Sequence, residues 1–130
     1  MKTFETKAFI MKIHDDLLVE FLVKKNVNLQ ASDLWESRDL STEYIPHKKF
    51  FVLFEVDEDA EISGDARRAD ASQKYNEHVA ACALYSDKMY LKIIGTLYLS
   101  VNKPVIPTKF FDDREEALLW LKDMQNKLTI

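Results

Sequence analysis

With 130 residues, 47% of them hydrophobic and 31% charged, the chain has an ordinary globular composition, and one domain spanning residues 1–130 is expected. A formal net charge of −4 and scattered lysines argue against a nucleic-acid partner, which requires a basic footprint. Two glycines, three prolines and one cysteine argue against a Gly-rich phosphate loop, a long linker and an internal disulfide, and no cofactor is implied.

The opening MKTFETKAFI carries an acid at Glu5 and no signal-peptide pattern, and no apolar run approaches the ~20 residues of a membrane span, so a soluble, cytoplasmic protein is expected. Residues 4–13 alternate as a strand. His14, Asp15 and Asp16 form a polar break before a second strand at residues 17–23 (LLVEFLV), which predicts an antiparallel hairpin. Ser32 and Asp33 offer an N-cap to a helix running to about Tyr44, with a stripe of Leu34, Trp35, Leu40, Tyr44 and Ile45, and Pro46 ends it. Residues 49–56 (KFFVLFEV) form the strongest strand, whose β-branched and aromatic content predicts burial on both faces.

Asp57, Glu58 and Asp59 close that strand, and a polar helix over about 65–76 follows, with Ala66, Ala69 and Tyr75 toward the sheet. Residues 79–85 form another buried strand. Ser86 or Asp87 is expected to cap a helix over 89–101 that is apolar almost all round. A one-sided stripe is enough to pack on a sheet, so the surplus implies deeper burial beneath the final helix, a second chain or a ligand. Asn102, Lys103 and Pro104 stop this helix, and Pro107 places the last strand (105–111) at an edge or a bulge. Asp113 caps the final helix, with Glu116 at the capping-box position and a stripe of Ala117, Trp120, Leu121, Met124 and Leu128. The order β-β-α-β-α-β-α-β-α predicts the α/β class: an N-terminal hairpin, a mixed, mostly parallel sheet of about five strands, and about four helices.

Candidate chemistry is sparse. Cys82, inside AACALY, reads as a small core hydrophobe rather than a nucleophile. His14, His47 and His78 lie on separate segment ends without ligand spacing, so no metal site is expected. Asp57, Glu58 and Asp59 follow a central strand, where α/β sheets bind ligands, but three acids there also read as a solvated turn. A receiver-domain reading fails, because Lys103-Pro104 precedes the last strand. Nucleophile motifs such as G-x-S-x-G are missing, so no enzymatic activity is expected. Arg67 and Arg68 could meet an anionic partner or pair within their own helix.

Three stretches resemble the STAS superfamily (anti-sigma-factor-antagonist-like, or SpoIIAA-like), in particular its small stand-alone bacterial proteins. They are FFVLFEVDED, GDARRAD and NKPVIPTKFFDDREEALLWL. The resemblance implies a STAS-like fold and a non-catalytic regulatory module that binds a protein partner. Classical members are switched by phosphorylation of a Ser or Thr at the start of the helix after the central strand. The matching place here spans residues 57–64, where Ser63 followed by Gly64 is the candidate and a plain helix cap is the alternative. The implied partner-binding or switch residues are Asp57, Ser63, Gly64, Arg67 and Arg68. STAS-like proteins also resemble the CRAL-TRIO lipid-binding fold, which implies an alternative: a small apolar or lipid-like ligand. The apolar surplus of the 89–101 helix makes Met89, Tyr90, Ile94, Leu97 and Tyr98 the candidates for that ligand or for a homodimer contact.

Overall fold

A computed structural model describes residues 1–56 and 59–128. Its elements, in chain order, are β1 (Lys2–Glu5), β2 (Phe9–Ile13), β3 (Leu18–Val23), β4 (Asn28–Leu29), α1 (Ala31–Tyr44), β5 (Phe50–Val56), β6 (Glu61–Ile62), α2 (Gly64–Ala71), β7 (Val79–Tyr85), α3 (Met89–Val101), β8 (Thr108–Phe111) and α4 (Arg114–Leu128). The main sheet has six strands in the order β1-β2-β3-β5-β7-β8, and β4 pairs with β6 in a separate two-stranded sheet. The first three strands are antiparallel and β3, β5, β7 and β8 run parallel, so the expected mixed sheet with an N-terminal hairpin is present.

The extra strand comes from the N-terminus. The single strand expected over 4–13 is broken by a turn, and β1 doubles back onto β2. Phe9 N donates to Thr6 Oγ1 at 3.0 Å and Thr6 N donates to the Phe9 carbonyl at 2.9 Å, so the reversal satisfies its own backbone groups. Neither Gly nor Pro marks it, and residue alternation continues across it. The next reversal follows the expected His14-Asp15-Asp16 break, with Leu17 in the left-handed region at φ 71°.

β5 lies between β3 and β7 and is buried on both faces, as its composition predicts. Phe50, Val52 and Phe54 point to one side, where α1 and α2 pack. Phe51 and Leu53 point to the other, toward α4. Small residues bring α4 close: Ala117 packs with Ala81 and Ala83 of β7, all three fully buried, with Leu121 and Phe111 completing the cluster. Asp113 Oδ1 accepts from the N–H groups of Glu115 (2.9 Å) and Glu116 (3.3 Å), so the expected cap of α4 is in place.

Helix α1 departs from its expected stripe and cap. Its buried face is Leu34, Ser37, Arg38 and Ser41, while Trp35 and Leu40 are half-buried and Tyr44 is exposed. The two buried hydroxyls are satisfied within the helix: Ser37 Oγ donates to the Leu34 carbonyl at 2.8 Å and Ser41 Oγ to the Ser37 carbonyl at 2.9 Å. Satisfied and small, they occupy the inner face without an orphaned polar group. The helix starts at Ala31 after Gln30, and Asp33 serves from the first turn by accepting from Gln30 N at 2.9 Å. Helix α2 stops at Ala71, shorter than the expected run to about 76, because Ser72 leaves the helical region at φ −75°, ψ 153°.

Helix α3 has the expected length but not the expected cap. Lys88 is the N-cap residue, and Ser86 Oγ helps by accepting from Lys88 N at 3.2 Å. The helix lies beside β8, where Gly95 meets the ring of Phe110. A Cβ at position 95 would stand 2.5 Å from Phe110 Cδ2 and 2.9 Å from Cε2. Ala is intrinsically better than Gly in a helix by about 1 kcal/mol, but overpacking costs about 1–3 kcal/mol and decides the sign. Gly95→Ala is therefore expected to lower the urea midpoint of unfolding despite the propensity gain. A raised midpoint would show that Phe110 yields and that α3 is not seated on it.

Candidate functional site

Helices α2 and α3 flank one end of the sheet, and the two sets of candidate residues named from the sequence meet there. Gly64, Arg67 and Arg68 of α2 face Ile94, Leu97, Tyr98, Val101 and Asn102 across a groove of about 420 Å³. Deeper in, a cavity of about 60 Å³ lies between α3, α2 and the sheet, lined among others by Phe54, Ile62, Leu84, Leu91 and Phe110, with Arg67 and Asp70 the charged residues of its wall. Arg67, Ile94 and Tyr98 belong to both spaces, so the groove is the mouth of the cavity.

The switch candidates are engaged locally. Ser63 caps α2, its Oγ accepting from Ala66 N at 3.0 Å, which is the structural reading of that residue. Gly64 opens the helix beside the Arg68 guanidinium. Arg68 pairs with Asp65 one turn back. Arg67 does not pair with Asp70; its Nη1 donates to the Ile62 carbonyl at 2.7 Å, which holds the half-buried guanidinium at the mouth of the cavity. Asp57 lies outside the described residues, as does Glu58, while Asp59 N donates to Tyr90 Oη at 3.0 Å and ties the loop after β5 to α3.

The α3 candidates divide. Met89, Tyr90, Ile94 and Leu97 are exposed, and with Ile93 and Val101 they make an apolar row on the outer face. Tyr98, 6% exposed, turns inward instead, and its hydroxyl donates to Asp70 Oδ2 at 2.6 Å. Of the alternatives for the second face of α3, burial beneath α4 does not hold, because α4 packs on the opposite side of the sheet.

Sequence reasoning missed the polar residues behind the cavity. The Arg38 guanidinium stacks 4.2 Å from the Tyr75 ring centroid, with Phe50 at 5.2 Å and Phe21 at 5.6 Å, and Nε donates to the Tyr75 carbonyl at 3.1 Å. Arg38 Nη1 has no hydrogen-bond partner among the described residues. Desolvation raises the Asp70 carboxyl above its ordinary range, against the opposing pull of the Tyr98 hydrogen bond and the Arg38 charge. Burial also raises the Tyr98 and Tyr75 hydroxyls, and it pushes the Cys82 thiol well above its usual value. Cys82 thus lacks the electropositive, accessible setting of a reactive thiol. One signal in the sequence could have located this cluster: Ser37, Arg38 and Ser41 share the i+3, i+4 register of Leu34, a polar face where a core face was due.

Among the described residues, no three His, Cys, Asp or Glu side chains converge on a possible metal position, and no helix is long and apolar enough to cross a membrane. His14 instead meets Glu20 at 2.5 Å on the far side of the molecule, where Arg114 bridges Glu20 and Glu55.

Residues 11–125 match the family described as a domain of unknown function, DUF7793. The chain belongs to that family. The crystal structure of an uncharacterised DUF3478-family protein from Shewanella loihica PV-4, which has a SpoIIAA-like fold, is similar with a TM-score of 0.62 and 17% identity, covering 93% of this chain and 99% of that one. A protein of unknown function from Arthrobacter sp. FB24 is also 17% identical, over 86% of this chain and 97% of that one, but its TM-score of 0.32 lends nothing to the comparison. No curated protein matches the sequence. This DUF7793 chain therefore has a SpoIIAA-like fold, as expected from its sequence.

The Asp70 shift has a consequence for stability. A carboxyl whose folded pKa is raised contributes stability that is fully present below its ordinary pKa near 3.8 and lost as pH rises through the folded value. Asn at this position cannot titrate. The stability of the parent relative to Asp70→Asn is therefore expected to increase as pH falls from 7 toward 4, read from urea unfolding of both proteins across that range. A difference that stays flat or moves the other way would contradict the burial of this carboxylate.

Proposed function

We propose that this protein is a non-catalytic STAS-type interaction module that docks a protein partner on the outer face of α3, with the Arg67–Arg68 edge of α2 alongside. One observation carries the reading. Met89, Ile93, Leu97 and Val101 stand a turn apart and are 71%, 57%, 57% and 72% exposed, on a helix whose only charged residue is Lys92. A monomer seldom leaves so continuous an apolar strip in water, and strips of this kind mark interaction surfaces. At 13 residues the helix is about 20 Å long. That face and its groove suit the smaller, reversible class of interface rather than an obligate one. On this reading α3 carries the partner surface and α2 forms its rim, where Ser63 and Arg67 hold local structure.

A second reading is favoured by the cavity itself: a small apolar ligand held between α3 and the sheet, against walls that are almost wholly hydrocarbon. The two readings occupy different sides of the same helix.

The docking reading is tested with Leu97→Asp, which puts a charge in the centre of the outer face, and Lys122→Glu, on an exposed position of α4, as the control. In quantitative co-purification from the native cell, Leu97→Asp is expected to reduce a stoichiometric partner by about tenfold or more, and Lys122→Glu is expected to retain it. Identical partner sets from the two variants would sink the assignment. Sedimentation of the parent and of Leu97→Asp reads self-association in parallel, and a dimer lost in the variant would give the face to a second copy of the chain instead of a foreign protein.

A further inference from the structure

Resting on the ligand reading above, we propose that the cavity beneath α3 takes a small apolar monocarboxylate, its hydrocarbon against Phe54, Leu84, Leu91 and Phe110 and its carboxylate at the Arg67 guanidinium. Size sets the body of the ligand. The cavity offers about 60 Å³, and one water needs roughly 10–15 Å³ by a comparable measure. The space is therefore that of a few waters, well under the roughly 150 Å³ that admits benzene, so it takes the end of a short alkyl chain with the rest in the half-open mouth. The apolar walls give ordered water few partners, so hydrocarbon is favoured over solvent there.

Charge sets the head. Two charged residues line the cavity, Asp70 and Arg67, and the charge of Arg38 acts on Asp70. Arg38 and Asp70 offset one another, and Asp70 Oδ2 is already occupied by the Tyr98 hydroxyl. Asp65, the nearest acid at the start of α2, is held by Arg68. Arg67 is left over. It spends one N–H on the Ile62 carbonyl and, among the described residues, forms no ion pair. Its position where groove and cavity join lets its other N–H groups meet an anion whose tail has passed inward. A carboxylate would receive charge-assisted hydrogen bonds there. An amine would be repelled, and an alcohol would leave the guanidinium charge uncompensated.

The test uses three probes of one chain length, hexanoate, hexanol and hexylamine, titrated into the full protein and followed by amide chemical shifts. Hexanoate is expected to bind with a dissociation constant on the order of 1 mM or tighter, at least about tenfold better than the other two. Arg67→Gln is expected to bring hexanoate down to the level of hexanol. Leu84→Phe fills the cavity and is expected to abolish binding; should it fail to fold, Ile94→Trp at the half-open mouth gives the same readout. Ile93→Asp, on the outer face and outside both the groove and the cavity, is expected to leave hexanoate binding unchanged, which separates this site from the docking face. No saturable shift with any probe up to about 10 mM would overturn both the proposal and the ligand reading beneath it. Equal binding of hexanoate and hexanol, or hexanoate binding unaffected by Arg67→Gln, would overturn the carboxylate assignment alone.

Discussion

The hydrogen bond from Tyr98 to Asp70 is the joint on which the binding end of this molecule depends. It is 2.6 Å long and ties α3 to α2 from the inside, where water cannot compete freely for either group. Its effect is to turn Tyr98 inward, which rotates Met89, Ile93, Leu97 and Val101 outward. It also sets Asp70 between the Tyr98 hydroxyl and the charge of Arg38, so that one carboxylate is satisfied from two elements while Arg67, one turn earlier, donates to the Ile62 carbonyl and forms no ion pair among the described residues. The groove and the cavity both follow from that arrangement.

The two faces of the sheet are packed by opposite means. On the α4 side, Ala81, Ala83 and Ala117 allow near contact of helix and sheet and leave little space. On the other side, α1 brings Ser37, Arg38 and Ser41 into the interior and α3 stands off except where Gly95 meets Phe110. Large side chains from β5 and β7 then fail to fill the wedge between α2 and α3 completely, and the cavity is what remains. The buried guanidinium is tolerated there because three aromatic rings and the Tyr75 carbonyl surround it. A polar interior of this kind gives the layer a defined arrangement at the expense of tight filling.

Legibility followed the strength of local signals. The β5 run, the β7-α3-β8 unit and the cap of α4 could be read because apolar runs, prolines and a capping Asp act within a few residues of where they stand. The turn between β1 and β2 was hidden because Thr6 closes it with a side-chain hydrogen bond rather than with Gly or Pro. The stripe of α1 was misjudged because hydrophobicity is not the only way to be buried: Ser37 and Ser41 return their hydroxyls to their own helix, and Arg38 is desolvated by aromatic faces that arrive from other elements. The surplus of apolar residues on α3 was visible at once, but not which of them would be outside.

The sequence alone determined the α/β class, the order of the four helices and of β5, β7 and β8 along the chain, the buried centre at β5 and the presence of one helix with more hydrocarbon than a sheet can cover. These are properties of composition and period, and they need no knowledge of what lies across space. Only the tertiary structure decided that α2 and α3 face each other, that Tyr98 points in while Leu97 points out, and that Arg67 forms no ion pair among the described residues beside an apolar cavity. Those outcomes depend on pairings between residues 28 positions apart, such as Asp70 with Tyr98. A hydrogen bond of that kind leaves no periodic trace in the chain, because its partners are chosen by the packing of whole helices rather than by their neighbours in sequence.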